Sequence, residues 1–398
     1  MRENRPLDRW FPYVVIALLL AVMAAGTVHG LDRHPQPRLV SQGISDAPVH
    51  SSLGSDPHED MVRHAIADLD ALTGPNGAAL AGQDGLWRYV WPRDASFVAV
   101  ARCAIGQYDK GLAVLAFLNR VRPASGRWEA RYTEAGGHVG DGRAPQLDGS
   151  GWVLWATWFC RAGDKYWDMV RASADQILSE LGPDGLPNVS PDYWERPERD
   201  LTLGTVAPLL TGLRAAVRIA TSLHHSPEAA RWWTAAEKLS EATDRVFGPD
   251  YPRIPAQATS FVEPGVQPVT LQGGRDAIVT VLGPPFAPAR PVVSTAIDAA
   301  YDVLTQPNGG VTPGEDWRAD GVSWTPQTAL FALSAAARGD QDTATALLTW
   351  LDHHRTKAGA LPEKVNRDLQ PAGEAPLAWT AALVVLTDSA LQEPLPIP

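Results

Sequence analysis

Glu195, behind Tyr193 and Trp194, and Glu363, between Pro362 and Lys364, are the residues of this chain best suited to supply one carboxylic acid and one carboxylate. Cleaving an acetal needs both, one to protonate the departing oxygen and one to activate water or attack carbon. An apolar, aromatic surround raises a carboxyl pKa by disfavouring its charged form, which suits Glu195 to the acid. The Lys364 cation favours the ionised form of its neighbour, which suits Glu363 to the base. Spacing alone is equally consistent with two surface glutamates on loops.

A third patch, Trp91-Pro92-Arg93-Asp94, pairs a donor and an acceptor inside an aromatic frame, the arrangement that holds a polyol by adjacent hydroxyls. By local rules the pair reads first as an ion pair capping a helix that begins at Ala95, because Asp is a favoured N-cap. Asp148, before Gly149, and Asp316, in Gly314-Glu315-Asp316-Trp317, carry the same double reading. Trp152, Trp155 and Trp158 recur every third residue and read as helix-face packing. His225, His353 and His354 lack the spacing or acidic companions of a metal site, and no zinc-type motif occurs, so neither metal nor cofactor is assigned.

The 398 residues carry a net charge of −11 with Lys and Arg scattered, which leaves no basic stripe for phosphate contacts and argues against nucleic acid as a partner. Fifteen Trp outnumber eight Tyr and eight Phe, and flat indole faces suit the C–H surfaces of sugars. Arg2, Arg5 and Arg9 precede an apolar run from Phe11 to Val28, the pattern of an export signal in residues 1–30. The run is long for a cleaved signal and short for a comfortable membrane span, so a removed signal and a membrane anchor through residues 11–28 are both open. Either delivers the rest outside the cell, as a secreted or surface-held protein. Cys103 and Cys160 lie in apolar helical segments and are expected as buried free thiols, a disulfide being permitted but not demanded.

The elements that must position these residues are helices. Residues 31–55, with Pro35, Pro37 and Pro48 and no apolar period, read as a flexible linker; Asp56-Pro57 with Glu59 then reads as a capping box opening the first helix of a domain over 56–390. Apolar 3.6-residue periodicity and Gly or Pro punctuation predict eleven or twelve helices in consecutive hairpins, with strand-like alternation nearly absent. The polar, Trp-marked motifs fall in the connections 87–94, 127–148, 188–200, 309–324 and 358–376. Helices alternating between an inner and an outer ring would gather those connections at one end, where loops on a rigid scaffold carry function.

Tyr89-Val90-Trp91-Pro92-Arg93-Asp94, Gln146-Leu147-Asp148-Gly149, Asp192-Tyr193-Trp194-Glu195, Leu361-Pro362-Glu363 and Pro376-Leu377-Ala378-Trp379, in this order, resemble glycoside hydrolase family 15, the glucoamylase-like enzymes. Arg127-Trp128-Glu129-Ala130-Arg131-Tyr132 and Asp276-Ala277-Ile278 agree more weakly, and the similarity runs from about residue 58 to 388. The resemblance implies an all-α (α/α)6 barrel, expected as a monomer, that removes glucose units from non-reducing ends with inversion. It implies Glu195 as general acid, Glu363 as general base, and Arg93 and Asp94 as the sugar-holding pair. Trp91, Trp194 and Trp379 would border the site, and Tyr89, Trp128, Asp148 and Asp316 complete the expected set of substrate-binding residues.

Two departures bear on the substrate, an oligosaccharide or polysaccharide. The linker is expected to leave no room for the β-sandwich that bacterial members commonly carry before the barrel, and Gly309-Gly310-Val311-Thr312-Pro313 lacks an arginine that the family often has there. Trehalose or a cell-envelope glycan is therefore an alternative to an α-glucan, and a glycan-binding protein without turnover is a rival from another class. A polysaccharide lyase would want a Tyr/His base pair and a terpenoid-type toroid Asp-rich metal motifs, and neither is seen. Inversion would place the two carboxyl groups roughly 6.5–9.5 Å apart, against about 5–5.5 Å for retention.

Overall fold

The structure, a computed structural model, describes residues 35–44, 58–255 and 273–398. The export signal of residues 1–30, and with it the question of an anchor, lies outside the described residues, as do Asp56 and Pro57 of the expected capping box.

Eleven α-helices are present among the described residues, and they differ in kind. One set is buried on nearly every face: α2 (Pro92–Ala104), α4 (Asp148–Phe159), α6 (Leu203–Ser222), α9 (Thr325–Ala337) and α11 (Ala378–Gln392). A helix apolar all round belongs in the interior of a large fold. The other set is amphipathic: α1 (Glu59–Leu72), α3 (Tyr108–Val121), α5 (Trp167–Glu180), α7 (Ser226–Phe247), α8 (Pro291–Leu304) and α10 (Gln341–His353). In α10, for instance, only Ala344, Leu347, Leu348 and Leu351 are buried, the i, i+3, i+4, i+7 stripe of a helix lying on a core.

Packing follows from that division. The inner members contact one another in a closed cycle, α2–α4–α6–(277–282)–α9–α11–α2, and each outer helix lies against one or two of them. This is an (α/α)6 barrel. Its one irregular stave among the described residues is the 3₁₀ segment Ala277–Leu282, wholly buried, which apolar helical periodicity did not predict. The apolar α6 is long enough to cross a membrane, but most of it is buried inside the barrel. Where α4 meets α6 the approach is backbone to backbone: a Cβ at Gly151 would stand 2.1 Å from the Pro208 carbonyl oxygen.

The connections differ as sharply as the helices. Links from inner to outer helices are mostly short, whereas those from outer to inner run over 73–91, 122–147, 181–202, 305–324 and 354–377. All of the long ones therefore end at the N-termini of inner helices, at one end of the barrel. There they include a small antiparallel sheet, β1 (Ser323–Trp324), β2 (Lys364–Val365) and β3 (Pro371–Ala372), with Trp324 opposite Lys364 and Val365 opposite Pro371.

Two expectations need correcting. Cys103 and Cys160 are not free thiols; they form a disulfide between the C-terminal ends of α2 and α4. The described part of the expected flexible linker is attached: the Val40 N–H donates to the Gly373 carbonyl at 2.8 Å and the Gln36 amide to the Asp320 carbonyl at 3.2 Å. Short stretches without apolar periodicity can still complete a sheet edge, a pairing that composition does not reveal.

Closing a loop of 57 residues lowers the entropy of the unfolded chain. By that account Cys103→Ser lowers unfolding free energy by about 4 kcal/mol, read as a shift in the denaturant midpoint that reductant reproduces in the unmodified protein.

Candidate active site

At the loop-rich end of the barrel lies a cavity of about 210 Å³. Its charged wall is Arg93, Asp94, Arg143, Glu195 and Glu363, and its aromatic wall includes Trp91, Trp194, Trp317, Trp324 and Trp379. The two sequence-selected glutamates thus share one cavity although they come from different connections.

Arg93 and Asp94 are 5% exposed and sit in the first turn of α2, behind Pro92 at its start. The helix begins before Asp94 and no side chain caps it, so the capping alternative does not hold. Arg93 is instead the centre of an ion cluster. Its Nη2 lies 3.2 Å from Asp94 Oδ2 and 3.2 Å from Glu195 Oε1, its Nη1 lies 3.4 Å from Asp148 Oδ2, and its Cζ stands 5.2 Å from the centre of the Trp379 ring. Three carboxyl groups around one guanidinium leave an excess of negative charge in a buried place. Burial is the main cause that raises the Asp94 carboxyl, and it pushes Asp148 up to about 7, while Arg93 opposes both shifts.

Glu195 is delivered by a tight turn. Asp192 Oδ1 accepts from the Trp194 N–H at 2.9 Å and its carbonyl accepts from the Glu195 N–H at 2.9 Å, and Glu195 itself takes φ +56°, a left-handed conformation that costs a non-glycine residue energy. Around its carboxyl group stand donors rather than the expected aromatic rings: Arg93 and Gln146, the latter at 3.0 Å, on Oε1, and Arg143 on Oε2. The turn is anchored from behind by Arg253, fully buried, which pairs with Asp192, Glu198 at 2.7 Å and Asp276 at 2.8 Å and stacks 3.7 Å from the Trp194 ring centre. Tyr193 turns its hydroxyl away from the cavity opening to Asp276.

Glu363 is held by the sheet. It precedes β2, its N–H donates to the Glu374 carbonyl at 2.7 Å, and its own carbonyl accepts from the Thr325 N–H at 3.1 Å. The residue is 5% exposed, and burial raises its carboxyl while Lys364, 3.3 Å away, lowers it. The expected effect of Lys364 is present but is outweighed by desolvation. Only glycine fits at 373, where φ is +73° and a Cβ would lie 2.3 Å from Glu363 Oε2. Next to it, Glu374 is buried among the N–H groups of Gln83 (2.7 Å) and Asp84 (3.0 Å), and burial pushes its carboxyl up to about 7.

The remaining sequence-selected residues divide. Tyr89 backs the wall, edge-on to Trp91, with Arg131 over its ring at 4.2 Å, and Asp148 stands behind Arg93. Trp128 is not at the cavity: it is 1% exposed and its indole N–H donates to Ser173 at 3.2 Å, as core packing of α5 against the barrel. Asp316 is exposed and lines nothing; its neighbour Trp317 turns inward instead. Sequence reasoning missed Arg143, Gln327 and Arg253. Arg143 sits in a glycine-rich stretch without period, and Arg253 follows α7 in an irregular, Pro- and Gly-containing stretch, so neither carried a local signal. Among the described residues no group of three His, Cys, Asp or Glu is placed to hold a metal ion.

No family model and no curated protein matches the chain. Solved structures do. A structure described as a glycosidase superposes with a TM-score of 0.70 at 20% identity, covering 85% of this chain and 99% of that one. A bacterial glucoamylase complexed with acarbose gives 0.69 at 19% identity over 85% of this chain and 56% of its own, and the glucoamylase from Saccharomycopsis fibuligera gives 0.65 at 14% over 88% and 97%. At such identities the likeness establishes the fold, the (α/α)6 barrel of glucoamylase-like proteins.

Two outcomes test these networks. Arg253→Met leaves three buried carboxylates without their shared cation and costs about 3–5 kcal/mol of stability, measured by denaturant unfolding. Glu374, whose folded pKa is raised, contributes stability that is present below the unfolded value of 4.5 and is lost as pH rises through about 7. Glu374→Gln should therefore gain on the unmodified protein between pH 5 and 8, by up to about 3 kcal/mol, in paired thermal scans.

Proposed function

We propose that the protein is an exported glycoside hydrolase that removes single α-linked glucose units from non-reducing ends, with inversion. The observation that carries this reading is the convergence of Glu195 and Glu363 on one cavity whose wall also holds the Arg93–Asp94 pair.

In the proposed reaction Glu195 protonates the departing glycosidic oxygen while Glu363 takes a proton from a water molecule that attacks the anomeric carbon from the opposite side. Burial raises the Glu363 carboxyl, which brings it nearer the pH at which a base both takes and returns a proton. Arg93 donates to one ring hydroxyl and Asp94 accepts from the next, above the face of Trp379. A cavity of about 210 Å³ is smaller than the roughly 300–1,000 Å³ of pockets for drug-sized ligands, which favours one sugar ring over a bound chain. Among structural neighbours, a glycosidase is described in complex with glucose and a glucoamylase with acarbose. Export rests on the N-terminal apolar run, and the Cys103–Cys160 disulfide fits an oxidising compartment.

The test is hydrolysis of a panel of α-linked glucosides, with the anomer formed first identified by NMR. Glu195→Gln should lower kcat at least ~10²-fold on glucosides with poor leaving groups and far less on activated ones, whereas Glu363→Gln should abolish turnover on both. A first product that keeps the substrate's configuration would exclude Glu363 as the base, and the absence of any turnover would leave a glycan-binding protein.

A further inference from the structure

Most polar groups of the cavity wall are already engaged by the chain itself. Arg93 and Asp94 pair with each other, Arg143 and Glu195 pair, Lys364 reaches Glu363, and the Tyr193 hydroxyl is bonded to Asp276. Among the described residues the indole N–H groups of Trp91, Trp194 and Trp379 are left over, and so is the one uncharged amide of the wall, Gln327. It lines the cavity from the first turn of α9, directly after Pro326, and is only 2% exposed. Its carbonyl oxygen has no hydrogen-bond partner among the described residues.

The cost of such a group is what makes it informative. A buried primary amide brings one acceptor oxygen and two donor hydrogens, and leaving it unmatched destabilises the fold relative to a Leu of similar size. The cavity it lines also holds Pro313, Trp324, Pro326, Leu377 and Trp379, and no side chain there donates to its carbonyl oxygen. Its position in the ring adds the second observation. In the closed cycle, α9 and α2 are separated only by α11, whose Trp379 lies under Arg93. A sugar ring lying with one C–H face over Trp379 would thus meet Arg93 and Asp94 from one neighbouring helix and Gln327 from the other.

We propose that Gln327 is a substrate-binding residue that reads one hydroxyl of the sugar ring, at a position different from those held by Arg93 and Asp94. An uncharged amide, able to accept and donate at once, suits a hydroxyl better than a carboxylate or phosphate, which would demand donors only. The proposal rests on the sugar-binding reading of this cavity and adds to it a selectivity point that neither glutamate provides. A sugar lacking that hydroxyl would leave the amide buried and unmatched, and would be discriminated against.

The experiment is a binding cycle with D-glucose and its monodeoxy analogues as probes, followed by the fluorescence of the cavity tryptophans or by calorimetry, on the full chain and on Gln327→Leu. The expected result is a loss of about tenfold in glucose affinity, with one monodeoxy analogue binding the unmodified protein and the variant equally. The thermal midpoint of Gln327→Leu should be unchanged or raised, since an unmatched buried amide has been removed. Equal glucose binding by the two proteins, or a loss shared evenly by every analogue, overturns the assignment, as does a lowered midpoint with sugar binding intact. Should Gln327→Leu not fold, Gln327→Glu, which keeps size and an acceptor, is judged by the same pattern across the analogues. If the unmodified protein binds none of these sugars, the reading of the cavity itself fails and takes Gln327 with it, an outcome distinct from a failure of Gln327 alone.

Discussion

The Arg93 guanidinium is the contact on which the loop-rich end of this barrel depends. It ties Asp94 of its own helix to Asp148 at the start of α4 and to Glu195 in the loop ahead of α6, and it lies over Trp379 of α11. Four separate segments thereby share one cation. Desolvating that many charges is unfavourable, and the like charges around Arg93 are not fully compensated. Such a cluster persists because the six-membered inner ring is packed tightly enough to impose it, and a ligand with hydroxyl groups would supply hydrogen bonds that the chain cannot.

A second cation, Arg253, does for the backbone what Arg93 does for the side chains. By joining Asp192, Glu198 and Asp276 beneath Trp194, it connects the turn that presents Glu195 to the irregular inner segment 277–282. The turn at 195 is held from the core side by Arg253, and the Glu195 carboxyl group from the cavity side by Arg93 and Arg143. The acid candidate is consequently oriented before any ligand arrives, the preorganisation that charge-stabilising sites require.

The helical hairpins and the gathering of motif loops at one end were legible from sequence, because apolar periodicity and Gly/Pro punctuation are local signals. The same holds for Trp91, Arg93, Asp94, Trp194, Glu195, Glu363 and Trp379, each inside a compact motif that the family resemblance brought into register. What was not legible was pairing at a distance. Trp128 and Asp316 were expected to bind substrate, but Trp128 is core and Asp316 faces water; the two cysteines, 57 residues apart, looked independent and are bonded. Arg143 and Gln327 belong to no motif themselves, although each lies three residues from one or from a motif-bearing connection, and the closing of the ring brings them to the cavity.

The disulfide gives α2 and α4 a property that neither has alone. Asp148 opens α4 and meets Arg93 in the first turn of α2, while Cys103 and Cys160 join the same two helices at their other ends, about 15–18 Å away at 1.5 Å per residue. The pair is pinned top and bottom, one pin electrostatic and one covalent, so that sliding or splaying of either helix against the other is resisted along its whole length. The two staves act as a single rigid plate, and the remaining four members of the ring have a fixed edge against which to close.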